Sequence, residues 1–137
     1  MSTVGTITVK EIMWLAGFLE GEGSFMWSPN AKGPSGRSKN MATIVACSTD
    51  LDVVQHAGRL LGEGICKQAK RIPDTWVSTK PLYRCRIRGA RAIGWMMTLY
   101  PLMGTRRQAK IRDILTKWKI APHGRAAVAI VRAKLKM

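Results

Sequence analysis

Acidic side chains are scarce in this chain: eight Asp and Glu stand against 23 Lys and Arg, leaving a net charge of +15 at neutral pH. A pI near 10.6 selects polyanions, nucleic acid foremost, as a partner class. A ribosomal or membrane-surface protein would show the same excess, so charge alone selects no mechanism. Histidine is nearly missing. His56 and His123 lack a neighbouring Cys, Ser or acid, so neither a triad nor a histidine metal site is expected. Cys47, Cys66 and Cys85 are odd in number, evenly spaced and without a CxxC pair. That argues against zinc and against a disulfide framework, and it suits small buried hydrophobes in a reducing compartment. Long hydrophobic runs are lacking too. None approaches the ~18 residues of a membrane span, and the longest candidate, 92–103, is interrupted by Gly94, Thr98 and Pro101. The N-terminus has no basic region followed by an apolar stretch, so the expectation is an intracellular, non-secreted protein. What is present is 137 residues, 46% hydrophobic, enough for one domain with a real core.

With acids so rare, their placement is informative. Thr8 and Glu11 fit a capping box, and Ile12, Leu15, Ala16 and Leu19 recur at helical spacing. Glu20 and Glu22 then fall at the C-terminal end of that helix, where the macrodipole disfavours an acid by roughly 0.3–1 kcal/mol. The other six have simple readings: Glu11 closes the box, Asp50 and Asp52 open a later helix, Glu63 and Asp74 lie in turns, and Asp113 sits among basic residues on a helix. A leftover carboxylate pair in a cationic chain points to a divalent-metal site beside a polyanion. Gly17 and Gly21, one turn apart, add a second signal. Each costs about 1 kcal/mol relative to Ala inside a helix, and such a stripe lets another backbone approach closely. Trp14, Gly17, Phe18 and Gly21 would form one face for a partner helix, with Ile12, Leu15, Ala16 and Leu19 turned to the core. The bland alternative is a helix ending at a glycine cap with a solvated acid.

The run Leu15-Ala16-Gly17-Phe18-Leu19-Glu20-Gly21-Glu22-Gly23 resembles the signature of the LAGLIDADG homing endonucleases. Leu15, Ala16, Gly17 and Gly23 match the letters of the family name, and Ser24 and Phe25 continue as many members do. The resemblance implies that Glu22 coordinates catalytic metal, Mg²⁺ or Mn²⁺, assisted by the Gly21 carbonyl. Glu in place of Asp departs from the family name and weakens the match only slightly. It also implies an α+β fold in the order αββαββα, with residues 1–119 as the endonuclease core. Residues 120–137 would be a basic C-terminal helical extension of the same domain.

The chain is organised to suit that order. Gly23–Ser28 alternates like a half-buried strand, 29–40 is rich in loop formers, and Met41–Ser48 is a second strand. Thr49 with Asp52 predicts a helix cap, and the helix stops at Gly62. Strands are expected over 64–71 and 80–88, then a helix over 89–102. Thr105 and Gln108 form a second capping box, opening a basic helix to about Lys119.

Strand 80–88 is the clearest nucleic-acid surface. Arg84, Arg86 and Arg88 share one face at period two, with Tyr83, Cys85 and Ile87 on the other. Such a row makes sense opposite phosphates or guanine edges; the alternative is a solvated outer sheet face. Lys67 and Arg71 would face the same way. If Phe25 and Trp27 face the core, then Ser24, Met26, Ser28, Asn30 and Lys32 face DNA, with Arg37 and Lys39 at the loop tip. The phase of the second strand is ambiguous, and the resemblance favours Thr43 on the DNA side. It also implies a basic residue early in the last core helix, either Arg106 or a neighbour, which would stabilise developing charge electrostatically. Phosphate anchoring by the same arginine is equally open. The family's polar water-positioning residue at the end of the second strand has no obvious counterpart in Ala46, Cys47 and Ser48.

Taken together, the expectation is a homodimeric, metal-dependent endonuclease that cuts double-stranded DNA at a long pseudo-palindromic site, with no small-molecule cofactor and no membrane partner. The alternatives are a non-cleaving DNA-binding protein or an RNA-splicing maturase on the same fold, and, outside that fold, a structural RNA-binding protein.

Overall fold

The computed structural model describes residues 6–32, 38–63, 67–68 and 81–120. Helix α1 (Val9–Glu22) leads into strands β1 (Gly23–Lys32) and β2 (Ser38–Ser48), then α2 (Leu51–Leu61), β3 (Lys67–Gln68) and β4 (Tyr83–Arg88). Helix α3 (Ala90–Leu99) continues as a 3₁₀ turn at Tyr100–Leu102, and α4 (Thr105–Ile120) closes the described chain. The order is αββαββα with the last helix added, an α+β architecture as expected. The basic extension beyond Ile120 lies outside the described residues.

The four strands form one antiparallel sheet in the order β1-β2-β4-β3. Strict alternation divides its faces. Phe25, Ala42, Ile44, Ala46, Cys85 and Ile87 are buried on the face that the helices cover. From the helices, Leu15, Leu19, Val54, Leu61, Met96, Leu99, Ile111 and Ile114 complete the core. The opposite face is open and carries the rows Ser24–Val45–Arg86 and Met26–Thr43–Arg88.

Local chemistry sets the boundaries. Thr8 accepts from the Glu11 N–H while the Glu11 carboxylate accepts from the Thr8 N–H, so the expected box is made. Those bonds hold the Glu11 carboxyl below the usual range, the backbone one contributing most. Helix α1 ends where Gly23 turns extended. A Cβ there would stand 2.7 Å from the Leu19 carbonyl, so only glycine lets the chain leave the helix so tightly. Gly62, at φ +89°, ends α2 in the left-handed region.

Several expectations are corrected. The first hairpin is longer than 23–28 and 41–48: β1 runs to Lys32 and β2 starts at Ser38, with a bulge between Ser28 and Ala31. Asp50, not Thr49, is the N-cap of α2, and it makes no side-chain cap bond. Thr105 is the first helical residue of α4 rather than its cap, and Gln108 donates instead to the Tyr100 carbonyl. Of the strand expected over 64–71, only Lys67–Gln68 is described, and the partner strand starts at Tyr83 rather than at 80. Cys85 is buried as expected, but Cys47 is half-exposed on the open face.

Candidate nucleic-acid interface and metal site

Glu20 and Glu22 part company in the structure. Glu20 is not half of a metal pair. Its carboxylate accepts from the Gly104 N–H, at the residue just before α4, and forms an ion pair with Arg107 Nε at 3.0 Å. The same Nε lies 3.1 Å from the Glu20 carbonyl oxygen, and Arg107 Nη1 donates to the Gly23 carbonyl. An acid disfavoured at the end of α1 thus sits at the start of α4, where the dipole favours it, and an α4 cation serves the α1 carbonyls in return. Gly104 makes this possible, because a Cβ there would lie 3.0 Å from the Glu20 oxygen. The Arg107 guanidinium also lies 5.9 Å from the Phe25 ring centre. The sequence flagged Glu20 as misplaced; the glycine just before a basic helix was the signal that could have located its partner.

Glu22 is the last residue of α1, exposed, and without a hydrogen bond or ion pair among the described residues. Its position is set by β1, whose first residue Gly23 pairs with Ala46, so that Glu22 projects near the Cys47 end of β2. Burial pushes the Cys47 thiol above its ordinary value; Arg84 opposes this and the Glu22 carboxylate adds to it. Glu22, Cys47 and Arg84 therefore share one electrostatic neighbourhood. Cys47 is one of the three positions, with Ala46 and Ser48, at which a polar side chain was sought.

Two cationic surfaces flank Glu22. On the open sheet face, Arg84, Arg86 and Arg88 stand in one column, with Lys67 in register with Arg84. Partial burial lowers the Arg86 pKa most; repulsion from Arg88 and then Arg84 follows, and Glu63 acts the other way. On the other side lies a shallow cleft of about 320 Å³ between β1 and α4, lined by Gly23, Ser24, Phe25, Arg106, Arg107 and Lys110. Arg107 is neutralised by Glu20, so Arg106 and Lys110, one turn apart and both exposed, give the cleft its charge. Sequence reasoning named Arg106 and missed Lys110.

The remaining candidates divide as follows. Ser24 and Met26 are exposed on the open face and Ser28 is half-exposed there. Thr43 is on that face, as the resemblance favoured, but covered to 6% exposure. The bulge after Ser28 breaks the alternation that aligned Asn30 and Lys32 with it, since Ala31 now pairs with Lys39. Arg37 and Arg71 lie outside the described residues. On α1, Trp14 stacks on Phe18 at 5.5 Å and meets the His56 ring edge-on at 4.4 Å. Gly17 and Gly21 are exposed beside them, with nothing within 4 Å of where a Cβ would stand.

Among the described residues, no three His, Cys, Asp or Glu come together. Nor is any described helix long and apolar enough to cross a membrane.

No protein-family model matches the chain, and no curated protein does. Solved structures do. The homing endonuclease I-TnaI is 17% identical with a TM-score of 0.55, over 77% of this chain and 69% of that one. The group I intron-encoded homing endonuclease I-CeuI, complexed with DNA, is 16% identical at TM-score 0.55, over 85% of this chain and 59% of that one. The LAGLIDADG homing endonuclease I-SmaMI, bound to cleaved DNA, is 15% identical at TM-score 0.54, over 84% of this chain but 38% of that one. The chain has the LAGLIDADG homing-endonuclease fold, with the run 15–23 forming the C-terminal part of α1 and the turn into β1.

Proposed function

We propose that this protein is a site-specific DNA endonuclease that pairs two copies to make metal-dependent double-strand breaks at a long, pseudo-palindromic duplex site. The observation that carries the reading is Glu22: an exposed carboxylate, unpaired among the described residues, held between an arginine column and a cationic cleft. A lone acid there has no structural role to explain it, and beside a bound phosphodiester it becomes a seat for a divalent cation. The donor chemistry fits Mg²⁺ or Mn²⁺. Both accept one or two carboxylates together with carbonyl, phosphate and water oxygens. Glu22 and the Gly21 carbonyl would supply one half of such a site, and the copy related by pairing of the Gly17/Gly21 faces would supply the other. When bound, the ion supplies Lewis-acid polarisation of the phosphodiester and water activation.

The chain's own residues do the rest. Arg84, Arg86 and Arg88 hold the duplex against the open face, and Ser24, Met26, Ser28 and Thr43 meet it beside them. Lys67, Asn30, Lys32 and Lys39, together with Arg37 and Arg71 from outside the described residues, serve the flanking backbone. Arg106, assisted by Lys110, presents fixed positive charge to the phosphate as negative charge develops on it. An arginine holds its proton too tightly to donate it at neutral pH, so the role is electrostatic.

Glu22→Gln tests the reading on duplexes carrying the joined flanks of the protein's own coding locus. The amide fills the same space and binds divalent metal poorly. Double-strand cleavage is expected to vanish while specific binding stays within about tenfold, as only the metal contact is removed. Retained cleavage by the variant rules out Glu22 as the metal ligand. A second reading, a non-cleaving DNA-binding protein, is favoured by one observation: Cys47 stands where a water-orienting polar group was expected. Wild-type protein that binds its site but never cuts it in Mg²⁺ or Mn²⁺ selects that reading.

A further inference from the structure

The open sheet face is not chemically uniform. Its β4 column is cationic: Arg84, Arg86 and Arg88. The neighbouring positions on β2 and β1 carry no charge. Val45 stands beside Arg86, Thr43 beside Arg88, and Met26 beside Thr43, with Met26 39% exposed. Arg88 reaches back to Met41, with Nη1 3.9 Å from the sulfur. This methionine is left exposed on the edge strand of the face. Set against a phosphate it would strip water from an anion and offer no hydrogen bond in exchange. In the DNA major groove one base alone presents an apolar group, the C5 methyl of thymine, whereas guanine presents O6 and N7 to arginine.

We propose that the face reads two chemistries side by side. Met26 and Val45 pack on thymine methyl groups, while Arg86 and Arg88 in the same cross-strand rows bond to guanine edges. The rows containing Val45 and Met26 are two residues apart along the strands, or about 6.8 Å. Base pairs follow one another every ~3.4 Å, so the two thymines fall about two base pairs apart. The cationic column points to nucleic acid as the occupant, and the diagonal apolar pair Met26 and Val45 on the adjacent strands β1 and β2 points to thymine-bearing duplex DNA rather than RNA. The inference rests on the DNA-binding reading above and adds to it a base preference specific to this chain.

The test uses the purified full chain in EDTA, so that cutting does not interfere. Duplexes are selected from a randomised pool, and each recurrent thymine is then replaced singly by deoxyuridine, which removes only the methyl. Thymines are expected to recur in each half-site. The critical substitutions are expected to weaken wild-type binding about fourfold each, the worth of one buried methyl. Met26→Gln and Val45→Ser, both at positions outside the core, are each expected to lose discrimination between thymine and deoxyuridine at the base that side chain meets. Thermal melting of each variant confirms that it folds. Selected sites without recurrent thymines, or no deoxyuridine effect on the wild type, overturn the base preference while leaving DNA binding intact. A Met26→Gln variant that changes sedimentation but not thymine discrimination overturns it in favour of a protein contact. A chain that enriches no duplex at all fails the DNA-binding reading itself, and this inference falls with it.

Discussion

Arg107 shows how much one side chain can carry when two helix ends meet. Its guanidinium serves the Glu20 carboxylate, the Glu20 carbonyl and the Gly23 carbonyl, which bracket Gly21 and Glu22 in sequence. With its side chain 15% exposed, it works in a setting where hydrogen bonds to charged groups count for more than on the open surface. Arg107→Ala removes a donor from two carbonyls and leaves the Glu20 carboxylate with only the Gly104 N–H and solvent. It should cost about 1–3 kcal/mol in urea unfolding. It should also raise the Mg²⁺ concentration needed for half-maximal cleavage, because Glu22 loses the brace on both sides. Arg107→Lys keeps the charge but not the fork geometry, and it should recover only part of each loss. A variant with unchanged stability and unchanged Mg²⁺ dependence would dismiss the brace. At this scale the sequence was half legible. It showed that Glu20 and Glu22 were misplaced at a helix C-terminus, which is local information. It did not show that Glu20 faces Gly104, because that contact spans 84 positions and exists only after the sheet has formed.

Periodicity made the elements more readable than the tertiary contacts. Leu15, Ala16 and Leu19 are buried as their spacing required, and the capping box at Thr8 is made. The first hairpin was cut short because Pro29 and its polar neighbours read as loop. Strand β1 tolerates them because it is an edge strand with a bulge beside Pro29, where a missing N–H breaks no ladder. Helix α1 leaves a different question open. Its outward face presents Met13 at 58% and Trp14 at 37% exposure, beside two glycines with empty space above them. In a lone chain, Gly17 and Gly21 each sacrifice about 1 kcal/mol of helix propensity with no contact to justify it. Pairing of two α1 helices, as proposed, would supply the justification. Gly21→Leu should therefore give a monomer or an insoluble chain, since overpacking a close backbone contact costs about 1–3 kcal/mol. If that face meets only solvent, the same change should leave the protein intact and slightly more stable. Sedimentation of wild type and variant separates the outcomes, and a wild-type monomer at micromolar concentration without DNA would sink the homodimer.

On the scale of the whole molecule, charge was the plainest signal in the sequence, and the fold determines where it acts. The alternation of Arg84, Arg86 and Arg88 against Cys85 and Ile87 could be read directly, because period two needs no partner strand. The rows they share with Val45, Thr43 and Met26 could not, because register depends on pairing between strands distant in sequence. Alternation along β4 places the arginines so that they disfavour one another: Arg88 and Arg84 both push the Arg86 pKa down, after burial. Like charges so arranged cost the free protein stability and regain it only when an anion arrives. Two measurements on Arg86→Gln should then move in opposite directions. Thermal unfolding of the free protein should stay level or rise, because a repelled cation has been removed. Affinity for the selected duplex should fall by about 1–3 kcal/mol if Arg86 bonds a guanine. If it meets a phosphate instead, the slope of log K against log salt should flatten by about 0.9. Arg84→Gln, on the row with Cys47 nearest Glu22, is expected to behave the same way, and because the two arginines repel one another, the double change should gain less stability than the two single changes summed. A loss of stability in both variants with no change in affinity or salt slope would make the column a structural feature of the sheet and remove it from the DNA interface.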